Sequence, residues 1–397
     1  MRSRKIHTIT SREVHQWAIE WLVQARLIAD HGWLCKATVV WSVVLRAASR
    51  MISVYAACRD LANAPSDQAV FNALNDGLPK TLSVLERRLN ESLTDHLSRT
   101  MRRRAWEVAI DWHLVPYYGQ PHKSRNEIYY GKPRQGTKQF HAYATACIVM
   151  YGQRYTLALT WVRRHESTVT ALKRLMARIH ELGLKIRYLL LDRAFFNVPV
   201  TMYLQSEQIP FLMPAMFRGR KPKKKRAKTG LHWIKRQNAG WYSHTLKNGK
   251  REVTIRICVA YRTHKNRKDR KRVQQKLLFG AWRVGGSPTE IRNRYRTRFG
   301  IETSYRQMRQ ARIYTCTRDP CLRLVFVALA LMLRNLWVWI HETFLCEGHG
   351  RSMTLRLDRL RFKRLLDWIV VAVVTLLHDG TMPYAETNAY TELRTTE

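Results

Sequence analysis

Acidic side chains are scarce in this sequence: 29 Asp and Glu stand against 70 Lys and Arg among 397 residues, a formal net charge of +41. A compact chain with that imbalance repels itself, and a polyanion relieves the repulsion; DNA and RNA are the abundant candidates, with a membrane surface as the competitor. Cysteine is sparse as well. Cys35, Cys58, Cys147, Cys258, Cys316, Cys321 and Cys346 are an odd, scattered set with no C-x-x-C pair, which argues against a disulfide framework or a zinc module and suits a reducing compartment. Long apolar runs are missing. The longest, Leu324–Leu333 and Trp368–Leu377 (the second including Thr375), hold ten residues each, well short of the ~20 that cross a bilayer. Both read as buried helices, the first closed by Arg334 and Asn335, and no membrane partner is expected. Met1-Arg2-Ser3-Arg4-Lys5 leads into a mixed segment, so a secretory signal is not expected.

What remains is a folded chain. With 46% apolar and 25% charged residues, general disorder is excluded and a substantial core is available, shared among two or three domains at about 150 residues each. Residues 1–105 read as an all-helical domain. Thr10 with Glu13 forms a T-x-x-E capping box, followed by Val14, Trp17, Ala18, Trp21, Leu22 and Ala25 at helical spacing. A second helix is expected from Trp33 to Ala62, a short one ending near Gly77 and Pro79, and a longer one from Leu82 to Arg104. Short helix, turn and longer helix fit either a DNA-binding helix-turn-helix or plain bundle packing.

From Val108 the period changes. Val108–Val115, Phe140–Met150 and Tyr155–Val162 read as strands, Ser167–Leu182 as a helix, Ile186–Leu191 as a strand covered on both faces, Val198–Ser206 as a helix and Ile209–Met213 as a strand. The order β-β-β-α-β-α-β is that of an α/β layer in which a three-stranded meander leads into crossover units. Residues 106–213 are thus the first part of a core. Residues 214–286 read as a basic, β-rich insertion: Arg218–Lys228 holds eight basic residues in eleven, Arg262–Lys276 another eight, and a hairpin is signalled at Lys247-Asn248-Gly249-Lys250. Ser287-Pro288-Thr289-Glu290 opens a helix that begins the second part of the core, 287–345. A helical region, 346–380, and a polar tail, 381–397, complete the chain.

The few acids are informative by position. Asp111 sits within the first strand and Asp192 directly follows Leu189-Leu190-Leu191. An ionised carboxylate set against apolar strands is costly unless paired or bound to a cation, which points to a metal, and parallel strands present their carboxyl ends to a common crevice. A third acid lies on the helix opened by Ser287. Tyr295, Arg298, Glu302 and Arg309 fall at offsets 0, 3, 7 and 14, within roughly 60° of one another over about 21 Å of helix. Arg306 lies on the same stripe. Arg298-Glu302-Arg306 also reads as an i,i+4 ladder on a solvated face, worth a few tenths of a kcal/mol per pair. Gly300 is unfavourable in a helix interior by about 1 kcal/mol and suggests close packing beside Glu302.

Asp111 in a strand, Asp192-Arg193-Ala194-Phe195 after a Leu-rich strand, and Tyr295-x2-Arg298-x3-Glu302-x6-Arg309 resemble the DDE transposases of the fourth bacterial insertion-sequence family, whose signature is Y-x2-R-x3-E-x6-K. The resemblance covers roughly residues 108–340 and is closest in Arg298-Phe299-Gly300-Ile301-Glu302-Thr303. It departs at Arg309, where the signature has Lys, and after Asp192, where Phe195 and Phe196 precede an Asn197 in place of an aromatic. Arg keeps the charge of Lys but not its geometry. The resemblance implies a ribonuclease-H-like fold with a β-rich insertion between the second Asp and the Glu. It also implies two-metal phosphoryl transfer by Asp111, Asp192 and Glu302 with two Mg²⁺ ions, for which Mn²⁺ substitutes. By the same resemblance, DNA is expected to be cut at the element's ends and the freed 3′-hydroxyl joined to target DNA, with a dimer on DNA suggested by analogy alone. Tyr295, Arg298, Arg306 and Arg309 are expected to hold phosphates beside the cut.

Within the basic insertion, Lys223, Lys224, Lys225 and Arg226 are expected to track phosphates, against the alternative of a solvated loop. Trp282, Trp233 and Trp241 are candidates to stack on an extruded base, with buried packing the commoner fate of each. Glu127 and the His165-Glu166 pair are minor candidates for a further acid or base. Two other readings stay open: a structure-selective nuclease of the same fold, and a basic nucleic-acid-binding protein without catalysis.

Overall fold

The computed structural model describes residues 8–30, 32, 35–150, 153–217, 230–265, 272–299, 306–347 and 354–377. The chain divides into two compact units, one drawn from residues 1–78, 310–315 and 361–397, the other from 79–309 and 316–360.

The first unit is helical, with α1 (Ser11–Gln24), α2 (Ala37–Arg50), α3 (Val54–Arg59), α4 (Asp67–Gly77) and the C-terminal helix Phe362–Leu377. The expected capping box is present at its start: the Glu13 N–H donates to Thr10 Oγ1 at 3.2 Å and the Thr10 N–H to Glu13 Oε2 at 2.8 Å. The helix expected from Trp33 to Ala62 is two helices. Met51 turns the chain into the left-handed region at φ 55°, and Ser53 Oγ then accepts from the Ala56 N–H to cap α3.

The second unit begins with α5 (Leu82–Thr94) and α6 (Arg99–Arg103). These replace the single helix expected over Leu82–Arg104, with Ser98 Oγ accepting from the Met101 N–H to restart the second. The two helices read as a helix-turn-helix, α4 and α5, fall in different units.

Nine strands form one mixed sheet: β1 (Ala105–Pro116), β2 (Tyr129–Arg134), β3 (Thr137–Met150), β4 (Gln153–Val162), β5 (Lys185–Leu191), β6 (Phe211–Pro214), β7 (Gly240–Asn248), β8 (Arg251–Lys265) and β9 (Arg272–Trp282). The order runs β2-β3-β1-β5-β6-β9-β8-β7, with β4 on β3. β1 is antiparallel to β3 and parallel to β5, which is parallel to β6. The α/β order expected over 106–213 is present, with α7 (Thr168–Glu181) and α8 (Val198–Ser206) as the crossovers and β2 as an additional strand. β2 turns into β3 through Gln135 and Gly136 at φ 50° and 78°, the conformation that tight hairpins require.

The basic segment read as an insertion, which also holds the short α9 (Gly230–Ile234), adds strands to this same sheet. β9 runs antiparallel to β6, from Phe211↔Trp282 to Pro214↔Phe279. This strand is hidden in the sequence because its outer end is the basic run and only Leu277–Trp282 looks buried. Gly280 is needed where β9 passes the turn that precedes α8: a Cβ there would lie 2.7 Å from the Phe196 ring. The Asn248-Gly249 hairpin forms as expected, with Gly249 at φ 58° and Asn248 opposite Arg251.

After β9 come α10 (Pro288–Arg296), packed against β8, and α11 (Pro320–Ile340), packed against β4 and α5. α11 is long and apolar enough to cross a bilayer by length and composition, yet most of it is buried within the unit. Arg334 and Asn335 do not end its apolar run, as the sequence suggests, but lie inside it. Asn335 is fully buried and satisfied: the Thr156 N–H donates to its Oδ1 at 2.8 Å, and its Nδ2 donates to the Leu93 and Thr156 carbonyls at 3.0 and 2.8 Å.

Candidate active site

The parallel register of β1 and β5 ends at Ile110↔Leu191, so the next residue on each strand is an aspartate. Asp111 does not end its strand, since β1 continues to Pro116. It is the termination of β5 beside it that opens space for both carboxylates. Asp111 Oδ1 accepts from the Trp112 N–H at 2.8 Å. Asp192 precedes a 3₁₀ turn, Arg193–Phe195, whose Phe195 N–H bonds the Asp192 carbonyl at 3.0 Å. Its side chain makes no capping bond and remains available to the cleft. The departures downstream have local reasons. Phe195 and Phe196 are buried, while Asn197 Oδ1 caps α8 by accepting from the Val200 N–H at 3.0 Å, and its Nδ2 donates to Thr168 Oγ1 at 3.1 Å.

Arg298 completes the pair. Its Nη2 lies 2.8 Å from Asp111 Oδ1 and its Nη1 3.7 Å from Asp192 Oδ1, with the arginine side chain 5% exposed against 16% for Asp111 and 44% for Asp192. The solvated ladder, the other reading of this stripe, is therefore not where Arg298 resides. Nor does the described chain carry one straight α-helix through Tyr295, Arg298 and Arg309. α10 ends at Arg296 and tightens into a 3₁₀ turn, Thr297–Phe299, and a second 3₁₀ turn spans Arg309–Ala311. The Thr297 carbonyl of the first turn accepts from the buried Arg154 guanidinium.

Tyr295 is buried beneath the cleft. Its hydroxyl donates to the Leu191 carbonyl at 3.2 Å, directly before Asp192, and its ring packs 5.1 Å from that of Phe279. Burial pushes the phenol well above its ordinary value, the two aspartates adding to the rise and Arg298 opposing it, so it stays a neutral donor. Asp111, Asp192, Arg298 and Arg309 line one cleft of about 440 Å³. Trp112, Tyr129, Arg134 and Thr168 line it too and were not anticipated; only the turn residues after Arg134 hinted that β2 would reach the site. Arg306 and Arg309 are exposed.

Trp282 is half-buried, stacked on Phe211 with ring centroids 6.5 Å apart and overlain by Arg283 at 4.5 Å. Trp241 donates to the Gly286 carbonyl at 2.9 Å, and Trp233 meets Tyr242 edge-on. The minor acid candidates serve local structure. Glu127 accepts from the His122 and Lys123 N–H groups, at 2.8 Å for the first, and Glu166 pairs with Arg174. Glu302, Gly300, Lys223, Lys224, Lys225, Arg226 and the tail 381–397 lie outside the described residues. Among the described residues no three Asp, Glu, His or Cys side chains gather as a metal set. The two that do meet are carboxylates, the donors hard divalent cations prefer, and a positive group already spans them. In that respect the residues fit such an ion.

Residues 102–340 match a family described as transposase DDE domain. No curated protein matches the chain. Among solved structures it is similar to a piggyBac transposase synaptic complex with hairpin DNA, determined by cryo-EM, at 11% identity over 95% of this chain and 75% of that one, with a TM-score of 0.47.

Proposed function

Because this chain belongs to the transposase DDE-domain family, we propose that it cuts DNA at the ends of an insertion sequence and joins the freed 3′-hydroxyl to target DNA, with Asp111, Asp192 and Glu302 holding two divalent ions, Mg²⁺ or Mn²⁺. The observation that carries this reading is the β1–β5 register, which sets Asp111 and Asp192 side by side at one cleft. The strand order β4-β3-β1-β5-β6, parallel only from β1 onward, supports a ribonuclease-H-like core. The motif around Arg298 supports membership of the fourth bacterial insertion-sequence family.

When bound, hard divalent cations supply the Lewis acidity that activates an attacking oxygen and stabilises a leaving one. The chain's own residues do the rest. β1 and β5 fix the two aspartates, and Tyr295 ties the end of β5 to α10 through the Leu191 carbonyl. Arg309, which lines the cleft, and the exposed Arg306 are suited to phosphodiester oxygens, as are Lys223 to Arg226. Trp282, already stacked within the sheet, is a weaker candidate for a base. A dimer on DNA in a prokaryotic cytoplasm follows by analogy with the family.

Glu302→Gln tests the reading. Strand cleavage in Mg²⁺ should vanish while DNA binding persists; full cleavage by this variant rejects the assignment. A pre-cut 3′-hydroxyl end separates transposase from nuclease, since only the transposase joins it.

A further inference from the structure

Arg298 occupies the place of a cation. Its guanidinium bridges Asp111 and Asp192 at 2.8 and 3.7 Å, with 5% of the side chain exposed, and two like charges facing one cleft repel each other unless a positive group lies with them. We infer that Arg298 is the resident counter-ion of this pair and a competitor for divalent ions, so that metal enters only as the guanidinium withdraws from at least one aspartate. The inference rests on the metal-centre reading above and concerns how that centre is kept closed.

The surroundings hold the backbone of this turn and leave one arm of the bridge weaker than the other. The turn bearing Arg298 is held from behind: Arg154 donates to the Thr297 carbonyl, and Arg334 donates to the Arg154 carbonyl at 3.3 Å and to Gln153 Oε1 at 2.9 Å. Both of these arginines are buried. The two arms of the Arg298 bridge differ. The Asp111 arm has the length of a charge-assisted hydrogen bond to the more buried acid. The Asp192 arm is longer and reaches an acid 44% exposed to water, where an ion pair is weak. Release therefore begins at Asp192. A phosphodiester entering the cleft beside Arg309 offers the freed fork replacement acceptors. Metal binding and DNA binding then reinforce each other, each by the same factor.

The test is a Mn²⁺ titration of the full-length protein without DNA, read by the electron paramagnetic resonance of free Mn²⁺, on wild type, Arg298→Gln, Arg298→Lys and Asp111→Asn. Arg298→Gln removes the competing charge and should bind Mn²⁺ about tenfold more tightly than wild type. Arg298→Lys, which keeps the charge but reaches one acid at a time, should gain about threefold. A short DNA duplex should tighten Mn²⁺ binding to wild type and leave Arg298→Gln unchanged. Wild-type or weaker Mn²⁺ affinity in Arg298→Gln, with Asp111→Asn losing the ion, overturns the inference and leaves the metal centre standing. If wild type takes up no Mn²⁺, or Asp111→Asn binds it as wild type does, the metal-centre reading itself fails and the inference with it. Should Arg298→Gln not fold by thermal melting, Arg298→Lys decides: unchanged affinity overturns the inference.

Discussion

In the cleft, Arg298 is set against two carboxylates at the border of solvent. In the seam where α11 lies on β4, Arg334 and Asn335 are set against carbonyls, an amide and a backbone N–H, all within the core. Both regions bury strongly polar groups, but their partners differ in kind. Neutral partners belong to the fold and leave only when it unfolds, whereas carboxylates paired with a side-chain cation can exchange it for another. The seam is built to be permanent and the cleft to be reoccupied.

Asp192→Asn should give the largest effect. Strand cleavage should fall on the order of 10³-fold, several kcal/mol of transition-state stabilisation, while the melting temperature barely moves because Asp192 is the more exposed and more distant acid and Arg298 keeps its bond to Asp111. Parallel cleavage and melting measurements check this, and a large drop in melting temperature would make the cleft as structural as the seam. Asn335→Ala should do the reverse. It strands the Thr156 N–H and the Leu93 carbonyl and should cost about 3 kcal/mol in a denaturant titration, with the folded fraction still cutting DNA at its former rate.

A smaller effect belongs to pH. His141, buried against Tyr117 with neither ring nitrogen hydrogen-bonded, is brought down from 6.5 to about 3, first by burial and then by Arg323. Its folded form stays neutral while the unfolded chain takes up the proton, so stability falls as pH drops from about 6.5 towards 3, by about 1.4 kcal/mol per pH unit. His141→Phe should flatten that part of the acid melting curve; an unchanged slope would show that other groups carry it. Smallest is Asn197→Ala, which removes the α8 cap at a cost of about 1 kcal/mol. Because Asn197 also donates to the Ala194 carbonyl at 3.3 Å, the turn behind Asp192 should loosen and cleavage slow severalfold. No change in rate would restrict Asn197 to capping.

Much of the core was legible because its signals are local. The Leu189–Leu191 run, the Thr10 and Ser287 caps and the Asn248-Gly249 turn each act through neighbours in sequence, and each appears as expected. The pairing of Asp111 with Asp192 was legible in outline, since parallel strands meet by rule, although its cause is the end of β5 and not of β1. What escaped is set at long range. Arg154 is 143 residues from the Thr297 carbonyl it binds, and nothing near Thr297 announces that partner. α11 looked short because Arg334 and Asn335 are polar, and only the carbonyls of distant elements make them at home in its middle. β9 was concealed by the charges at its outer end.

The antiparallel join of β6 to β9 bears on any attempt to shorten this protein. Residues 214–286 look like a removable arm in the sequence, but β9 is what covers the far side of Phe211–Met213. A truncated chain would leave that apolar strand as a bare border, ready to zip onto the same border of another copy. Trimming the arm would thus cost solubility before it revealed anything about which nucleic acid the arm touches.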